Sequence, residues 1–271
     1  MTKQRKAILY VPYLLWLLLF VVAPMALIFY YSFFNVEHQF TLANYAKFFT
    51  SGTYLMMTVN SVWYALLITA ITLIVSYPTA WFITKLKHRE LWILLVILPT
   101  WINLLLKAYA FIGLFGRGGL VNSGLAALGL GYHQLLFTNT SFILVAAYIQ
   151  IPFMILPIYN SLTEISDSYI KASWDLGATN RQTFWHVIWP LSMPGVKSGI
   201  QIVFIPSLSL FMISRLIGGN KIITLGTAVE EHFLTTMNWG MGSTIGVVLI
   251  ISMLIVMAAT RNRRRKGGTF K

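Results

Sequence analysis

Long apolar stretches without a charged side chain dominate the chain. Six of them contain no Asp, Glu, Lys or Arg: 7–36, 48–84, 91–106, 118–163, 198–214 and 232–260. A helix needs about 20 mainly apolar residues to cross a bilayer. Trimmed at turn-forming residues, the pattern predicts six transmembrane helices, at 8–31, 58–83, 92–115, 140–161, 197–217 and 242–260. We therefore expect an all-α membrane protein with one membrane domain over 1–271.

The first apolar stretch follows Lys3, Arg5 and Lys6, as the apolar core of a secretory signal would. The stretch is too long for a signal, and Pro24 follows Ala23 where cleavage would have to occur. The pattern predicts an uncleaved first transmembrane helix.

The longest polar interruption lies in the segment 162–196. Asp167, Lys171 and Asp175 are four residues apart, so on a helix they form one face of alternating charge. Gly177 follows at a position where a left-handed residue commonly ends a helix. Thr179 with Gln182 has the spacing of a capping box that opens a second short helix, which we expect to stop at Pro190. The segment is predicted to be a docking piece of two short helices.

Lysine and arginine are distributed unevenly among the connecting segments. With the amino terminus inside, fifteen of them lie on the inner side and only Lys47, Arg117 and Lys221 on the outer side. Connections on the cytosolic side of a membrane are enriched in these residues. The distribution predicts that both termini and the segment 162–196 are cytosolic.

Composition agrees with a membrane location. The chain is 57% hydrophobic, with 20 basic against 7 acidic residues, which excludes an ordinary soluble domain. A net charge of +13 often indicates a nucleic-acid partner, but the basic residues flank apolar runs instead of forming one patch. We predict no nucleic-acid partner. Because cysteine is absent, the chain has no disulfide, thiol nucleophile or cysteine metal site.

Motifs that would mark an enzyme do not occur. The chain has no Gly-x-x-x-x-Gly-Lys-Ser/Thr loop for phosphate, no His-Glu-x-x-His metal motif and no Gly-x-Ser-x-Gly nucleophile turn. The five histidines are scattered. We therefore predict no catalytic residue, no metal site and no bound cofactor. If transport uses ATP, another subunit must bind and hydrolyse it.

Polar side chains inside predicted transmembrane helices are costly in lipid and are candidates for function. Thr100, Asn103 and Lys107 would form one polar stripe on the third helix, and Ser207, Phe211 and Ser214 one face of the fifth. The candidates for a translocation path or gate are Asn103, Lys107, Tyr148, Ser207, Phe211, Ser214 and Arg215. Helix packing is the alternative role, and it is the one expected of Gly242 and Gly246.

The docking segment carries a family motif. The coupling loop of ABC importer permeases reads Glu-Ala-Ala, three residues, Gly, nine residues, Ile-x-Leu-Pro. This chain resembles it with Lys171-Ala172-Ser173, Gly177 and Val187-Ile188-Trp189-Pro190. Lys171 and Trp189 depart from the usual Glu and Leu. The resemblance implies that the segment docks on an ATPase. The residues it assigns to coupling are Lys171, Ala172, Ser173, Trp174, Asp175, Gly177, Phe184 and Pro190.

The resemblance covers nearly the whole chain and is greatest to spermidine/putrescine permease subunits. The similar segments are Asn60-Ser61, Tyr77-Pro78-Thr79-Ala80, Leu98-Pro99, 152–157 and 215–219. It implies the type I permease fold, a second related permease, two cytosolic ATPase subunits and an external polyamine-binding protein, in a bacterial cytoplasmic membrane. The face with Phe211, Ser214 and Arg215 would correspond to the gate.

Three other functions would place different requirements on the sequence. A secondary transporter would normally carry carboxylates at mid-membrane, whereas all seven acidic residues lie outside the predicted helices. A membrane enzyme lacks a candidate constellation. An ABC permease for molybdate, sulfate, iron or thiamine stays open. Arg215 would repel a polycation, although Glu230, Glu231 and neighbouring aromatic side chains could offset that repulsion.

Overall fold

The computed structural model describes residues 3–260, and helices make up most of that range. The first half contains α1 (Lys3–Leu17), α2 (Ala23–Tyr31), α3 (Ala43–Thr50), α4 (Gly52–Thr84), α5 (Arg89–Ile97), α6 (Leu104–Phe115) and α7 (Leu120–Ala127). The second half contains α8 (Asn139–Thr163), α9 (Asp167–Asp175), α10 (Asn180–Thr183), α11 (Trp189–Ser207), α12 (Phe211–Gly218), α13 (Leu225–Glu230) and α14 (Trp239–Thr260). The predicted all-α class is confirmed. Six of the fifteen lysine and arginine residues predicted on the inner side lie in 261–271, outside the described residues.

Five helices of the described range are long and apolar enough to cross a membrane: Tyr10–Tyr31, Gly52–Thr84, Leu104–Ala127, Asn139–Thr163 and Trp239–Thr260. A sixth crossing is available if the bent pair Asn180–Ser207 and Phe211–Gly218 forms one span. Three short π-helical turns, Leu18–Val22, Phe184–Ile188 and Glu231–Thr235, interrupt the α-helical hydrogen bonding.

The expectation of one unbroken helix over 92–115 is wrong. The helix α5 ends at Ile97, and a 3₁₀ turn over Leu98–Trp101 follows, with Pro99 in its first turn. Asn103 then starts α6, because its side chain accepts a hydrogen bond from the backbone N–H of Leu105 at 2.8 Å. Thr100, Asn103 and Lys107 therefore do not form a stripe along one helix.

The expectation of one unbroken helix over 197–217 is also wrong. The helix α11 ends at Ser207, α12 begins at Phe211, and the two axes meet at 64°. Pro206 has no N–H for the carbonyl one turn earlier, and Leu210 has a non-helical ψ of 56°. Ser207 and Phe211 thus lie on different helices.

The described chain divides into two compact units, the first of which comprises Met1–Thr58 and Leu225–Ser252. In it, three glycines of α14 allow close approach. A Cβ on Gly240 would lie 1.9 Å from the Phe34 carbonyl oxygen, one on Gly242 3.0 Å from the Phe233 ring, and one on Gly246 3.4 Å from Ile28. Gly246 packs on α2 as expected, whereas Gly242 faces the π-helical turn that precedes α14.

A histidine in the first unit joins two segments distant in sequence. The Nε2 atom of His232 lies 2.9 Å from the hydroxyl oxygen of Tyr54. Burial lowers the pKa of His232 below its ordinary value of 6.5, although Glu231 acts in the opposite direction. The imidazole is therefore neutral at pH 7 and forms a hydrogen bond without adding positive charge.

Within the described residues, the second unit comprises 59–224 and 253–260, and α8 packed on α11 forms its centre. Ile155, Ile158 and Val203 are fully buried here. Gly195 and Gly199 of α11 are close to α8, because a Cβ on Gly195 would lie 2.4 Å from the Pro157 carbonyl oxygen. The helix α12 packs on both α8 and α6. This unit contains every predicted coupling and pathway residue.

Candidate functional site

The first helix of the docking segment has defined ends. Ser166 caps α9, since its hydroxyl accepts a hydrogen bond from the N–H of Ser168 at 3.3 Å. At the other end, Gly177 has a φ of +82°, and its N–H donates to the Trp174 carbonyl at 2.8 Å. The N–H of Ala178 donates to the Ser173 carbonyl at 3.0 Å, which completes a Schellman motif. The predicted left-handed glycine is confirmed.

The predicted capping box of the second helix is also confirmed. The N–H of Thr179 donates to Oε1 of Gln182 at 2.8 Å, and the N–H of Gln182 donates to the Thr179 hydroxyl at 3.3 Å. The reciprocal pair satisfies two backbone donors that would otherwise lack partners. The polar turn at 177–179 is therefore a tight corner between two helices.

The second helix does not stop at Pro190, and that expectation is wrong. After α10, the π-helical turn Phe184–Ile188 leads directly into α11, with the N–H of Trp189 donating to the Phe184 carbonyl. Pro190 lies in the first turn of α11, where a missing N–H is tolerated. The helix from Asn180 thus runs to Ser207 and ends inside a membrane-length segment.

A buried pair of hydroxyls holds the two docking helices together. The Ser173 and Thr183 oxygens lie 2.7 Å apart, and the two residues are 9% and 2% exposed. Because the Ser173 hydroxyl donates to the Ile170 carbonyl at 2.7 Å, the Thr183 hydroxyl must donate to Ser173. Ser173, predicted to couple to the ATPase, therefore sets the angle between α9 and α10 from the inside.

Replacing Ser173 by alanine is expected to lower the free energy of unfolding by about 1–3 kcal/mol, because the buried Thr183 hydroxyl loses its acceptor. The double variant Ser173→Ala with Thr183→Val removes both polar groups and should recover most of that loss. Thermal unfolding of the purified protein measures both. A double variant that is less stable than Ser173→Ala would contradict the assignment.

Three of the residues predicted to couple to the ATPase lie with Leu176 on an outward surface. We call the exposed residues Lys171, Trp174, Asp175 and Leu176 the coupling surface; Leu176 is 89% exposed and Trp174 50% exposed. Ala172 is exposed beside them. Exposed large apolar residues next to charges are typical of a protein interface. Phe184 is instead half-buried, and Pro190 lies on α11.

Phe184 belongs to a cluster of rings that the sequence did not predict. Its ring centroid lies 4.8 Å from that of Trp81 and 6.0 Å from that of Tyr77. We call this cluster the aromatic joint; its members are Tyr77, Trp81, Phe184, Trp185 and Trp189. The joint connects the end of α4 to the start of α11. The density of aromatic residues at 184–189 was the signal available in the sequence.

A buried hydrogen bond lies beside the aromatic joint. The Tyr77 and Ser192 hydroxyl oxygens are 2.9 Å apart, and the Ser192 hydroxyl donates to the Trp189 carbonyl at 3.0 Å. Tyr77 is therefore the donor to Ser192. The docking helices therefore contact α4 through the rings and continue into α11.

The predicted pathway residues are brought together only in part. Lys107 lies half-buried on α6, and Tyr148 of α8, 47% exposed, packs edge-to-face on Phe111 of α6 at 5.1 Å. Asn103 caps α6 and is exposed. Lys107 and Tyr148 lie on the neighbouring helices α6 and α8, whereas the Asn103 side chain is used to cap the backbone of α6.

The two serines of the predicted gate make internal hydrogen bonds. Ser207, 1% exposed, donates to the Val203 carbonyl at 2.6 Å, and Ser214, fully buried, donates to the Ile222 carbonyl. These contacts favour packing over contact with a solute. Phe211 begins α12 and is half-buried, and Arg215 is exposed one turn further on.

Comparison with known proteins assigns the class. Residues 44–266 match the family described as binding-protein-dependent transport system inner membrane component, and the chain belongs to that family. It is a multi-pass transport permease of the ABC importer class. In solved structures, a bacterial ABC transporter that imports the acidic polysaccharide alginate contains a similar chain. The two superpose with a TM-score of 0.81 at 17% identity over 97% of this chain and 98% of that one.

Two curated relatives are similar to this chain over nearly their whole length. The spermidine/putrescine transport system permease protein PotB of Escherichia coli K12 is 34% identical over 265 residues, covering 93% of this chain and 96% of that protein. PotB of Haemophilus influenzae is 32% identical over 260 residues, covering 92% and 91%. The resemblance to this permease family is confirmed.

Proposed function

We propose that this chain is the permease subunit of an ATP-driven importer of polyamines and forms half of its translocation pathway. The observation that carries the proposal is the docking helix that continues from Asn180 to Ser207 through one π-helical turn. Such a helix couples a surface that can receive a motor to a segment long enough to enter the membrane. The names of the relatives, spermidine/putrescine permeases, support the substrate class.

The motor is assigned to other subunits. Since the chain has no phosphate-binding loop, two ATPase subunits bind and hydrolyse ATP on the cytosolic side, where the coupling surface meets them. A second, related permease completes the pathway, and an extracytoplasmic polyamine-binding protein delivers the substrate. The excess of lysine and arginine in the inner connections supports cytosolic termini.

Transport follows from alternating access. ATP closes the motor subunits, which displace α9 and α10 as one body because Ser173 and Thr183 join them. The displacement passes into α11 and, through the aromatic joint, into α4. Binding energy at the motor shifts the population between outward-open and inward-open states. Half-exposed Tyr148 can contact a cation through its ring face, which suits an ammonium-bearing substrate.

The test is uptake into vesicles that contain the complete assembly and its binding protein. Labelled spermidine or putrescine should accumulate only when ATP is supplied, and an ATPase and a second permease should co-purify with the chain. Molybdate, sulfate, iron and thiamine, offered with the same assembly, serve as matched solutes. ATP-dependent uptake of one of those without uptake of either polyamine would replace the substrate assignment and leave the permease role in place.

A further inference from the structure

A cleft between the docking helices and the ends of two membrane-length helices borders both the aromatic joint, through Trp81, and the coupling surface, through Lys171, but the transport mechanism described above assigns it no ligand. We call it the basic cleft and define it by Trp81, Lys85, Arg89, Asp167 and Lys171. It consists of two adjoining cavities of about 240 Å³ and 640 Å³, which share Trp81, Lys85 and Asp167. A cleft of this size can hold a molecular group larger than a single ion.

The charge of the cleft is unbalanced. Lys85, Arg89 and Lys171 are exposed to it, and Asp167 is its only carboxylate, so the lining has a net charge of +2. None of the three basic side chains forms an ion pair with another described residue. Lys171 contributes decisively to this excess, because a carboxylate in its place would bring the net charge to zero. The excess positive charge is a property of this chain and favours an anionic ligand.

The cleft lies where membrane-length helices end. The helix α4 ends at Thr84 and α8 ends at Thr163, and both residues line the smaller cavity. Lysine and tryptophan side chains are enriched at that depth, where hydrocarbon gives way to lipid head groups. The Lys85 ammonium lies 5.4 Å from the centre of the Trp81 ring. A positive charge is therefore held beside a tryptophan that lines both cavities.

The walls combine positive charge with apolar surface. Leu162, Ile165 and Ile188 line the smaller cavity beside the basic side chains. A phosphodiester needs the cations, whereas a glycerol backbone and the start of an acyl chain need apolar contact. Basic pockets between membrane helices on the cytosolic side recognise lipid head groups in this way. A carboxylate of a partner protein would need only the positive charges and would leave the apolar wall without a partner, so the lining favours a lipid.

We propose that the basic cleft binds the phosphate head group of an anionic phospholipid. The bound lipid bridges the end of α4, the start of α5 and the first docking helix α9, and so stabilises the docking helices against the membrane-length helices. The lipid is a positioning ligand and is not transported. The proposal does not depend on which solute the transporter carries.

The test is a lipid titration of the intact transporter, purified in detergent and stripped of native lipid. Native mass spectrometry should detect binding of phosphatidylglycerol in preference to phosphatidylcholine. Lys85→Gln and Arg89→Gln should each weaken phosphatidylglycerol binding roughly fivefold, as expected for one basic residue at an anionic lipid surface. Lys171→Glu should weaken it further, because it changes the charge by two. Lys85→Arg keeps the charge and should keep the lipid, which separates charge from misfolding.

Lys87 supplies the matched control, because it lies on the same short connection as Lys85 but does not line either cavity. Lys87→Gln should leave phosphatidylglycerol binding unchanged. An equal loss in Lys87→Gln, or equal binding of both lipids by the wild type, would overturn the proposal. Displacement of the lipid by equimolar inorganic phosphate would assign the cleft to a soluble anion. Loss of the ATPase from Lys85→Gln with lipid binding intact would assign it to a protein carboxylate.

Discussion

Gly177→Pro is expected to abolish ATP-driven uptake while the protein still inserts into the membrane. Proline cannot adopt the φ of +82° found here, and it removes the N–H that donates to the Trp174 carbonyl at 2.8 Å. The corner between α9 and α10 must then open, which misplaces Trp174 and Leu176 on the coupling surface. The measurement is uptake together with the amount of ATPase that co-purifies with the chain.

Gly129 offers a closely matched control. It has a φ of +77°, its N–H donates to the Ala126 carbonyl at 3.0 Å, and Leu130 donates to Leu125 at 3.0 Å, so it closes α7 with the same motif. A Cβ would meet nothing within 4 Å at either glycine. Gly129→Pro therefore has the same local cost, but we expect it to retain the ATPase. Normal uptake by Gly177→Pro would contradict the coupling role of the corner.

Gly195→Ala is expected to cause a large loss of stability, because it adds a methyl group where α11 approaches α8 closely. Its Cβ would lie 2.4 Å from the Pro157 carbonyl oxygen and 2.5 Å from the Ser161 Cβ, neither of which can rotate away. The pair α8 and α11 must separate, at a cost of about 1–3 kcal/mol or more. Thermal unfolding of the purified protein in detergent measures the loss.

Two other glycines calibrate that result. Gly199→Ala should cost less, because the close atom there is the Met154 sulfur at 2.5 Å, at the far end of a flexible side chain. Gly113→Ala, inside α6, meets nothing within 4 Å and should be neutral or stabilising by up to about 1 kcal/mol, since alanine favours the helix. If all three variants unfolded alike, the close approach of α8 and α11 would not explain the effect.

Features encoded within a few residues could be predicted from the sequence. The capping box at Thr179 and the left-handed Gly177 depend only on neighbouring side chains and backbone, so local chemistry determines them. The membrane-length helices follow from apolar length, because a charge within the hydrocarbon is costly wherever it occurs. These predictions did not require knowledge of any long-range contact.

The positions of helix breaks could not be predicted reliably, because a proline can lie inside a helix, in its first turn or in the turn between two helices. Pro152 and Pro157 lie inside the continuous helix α8, Pro190 begins α11, and Pro99 lies in the turn that separates α5 from α6. Which outcome occurs depends on whether neighbouring helices and caps satisfy the freed carbonyl groups. After Pro99 the helix ends, and Asn103 caps the next one. Before Pro190 the helix instead continues through a π-helical turn into α11.

The aromatic joint was out of reach for a different reason. Tyr77 and Ser192 are 115 residues apart, and no local pattern pairs them. The roles assigned to Lys171, Trp174, Phe211 and Arg215 stay predictions, since those roles concern partner subunits and solute. For Ser207 and Ser214, the internal hydrogen bonds favour a structural role that spacing alone left open.

The helical segment from Asn180 to Ser207, which includes one π-helical turn, joins the docking end to a membrane-length segment. At the usual rise per residue it is a rod about 40 Å long, and near its docking end the aromatic joint connects it to α4. If the rod pivots at the aromatic joint, a small displacement of its docking end produces a larger displacement of its far end. At that end, α11 meets α12 at the 64° bend, which forms an elbow. If an ATPase drives the docking end, the lengths of the two arms of this rod relate the displacement at the elbow to the displacement at the docking end.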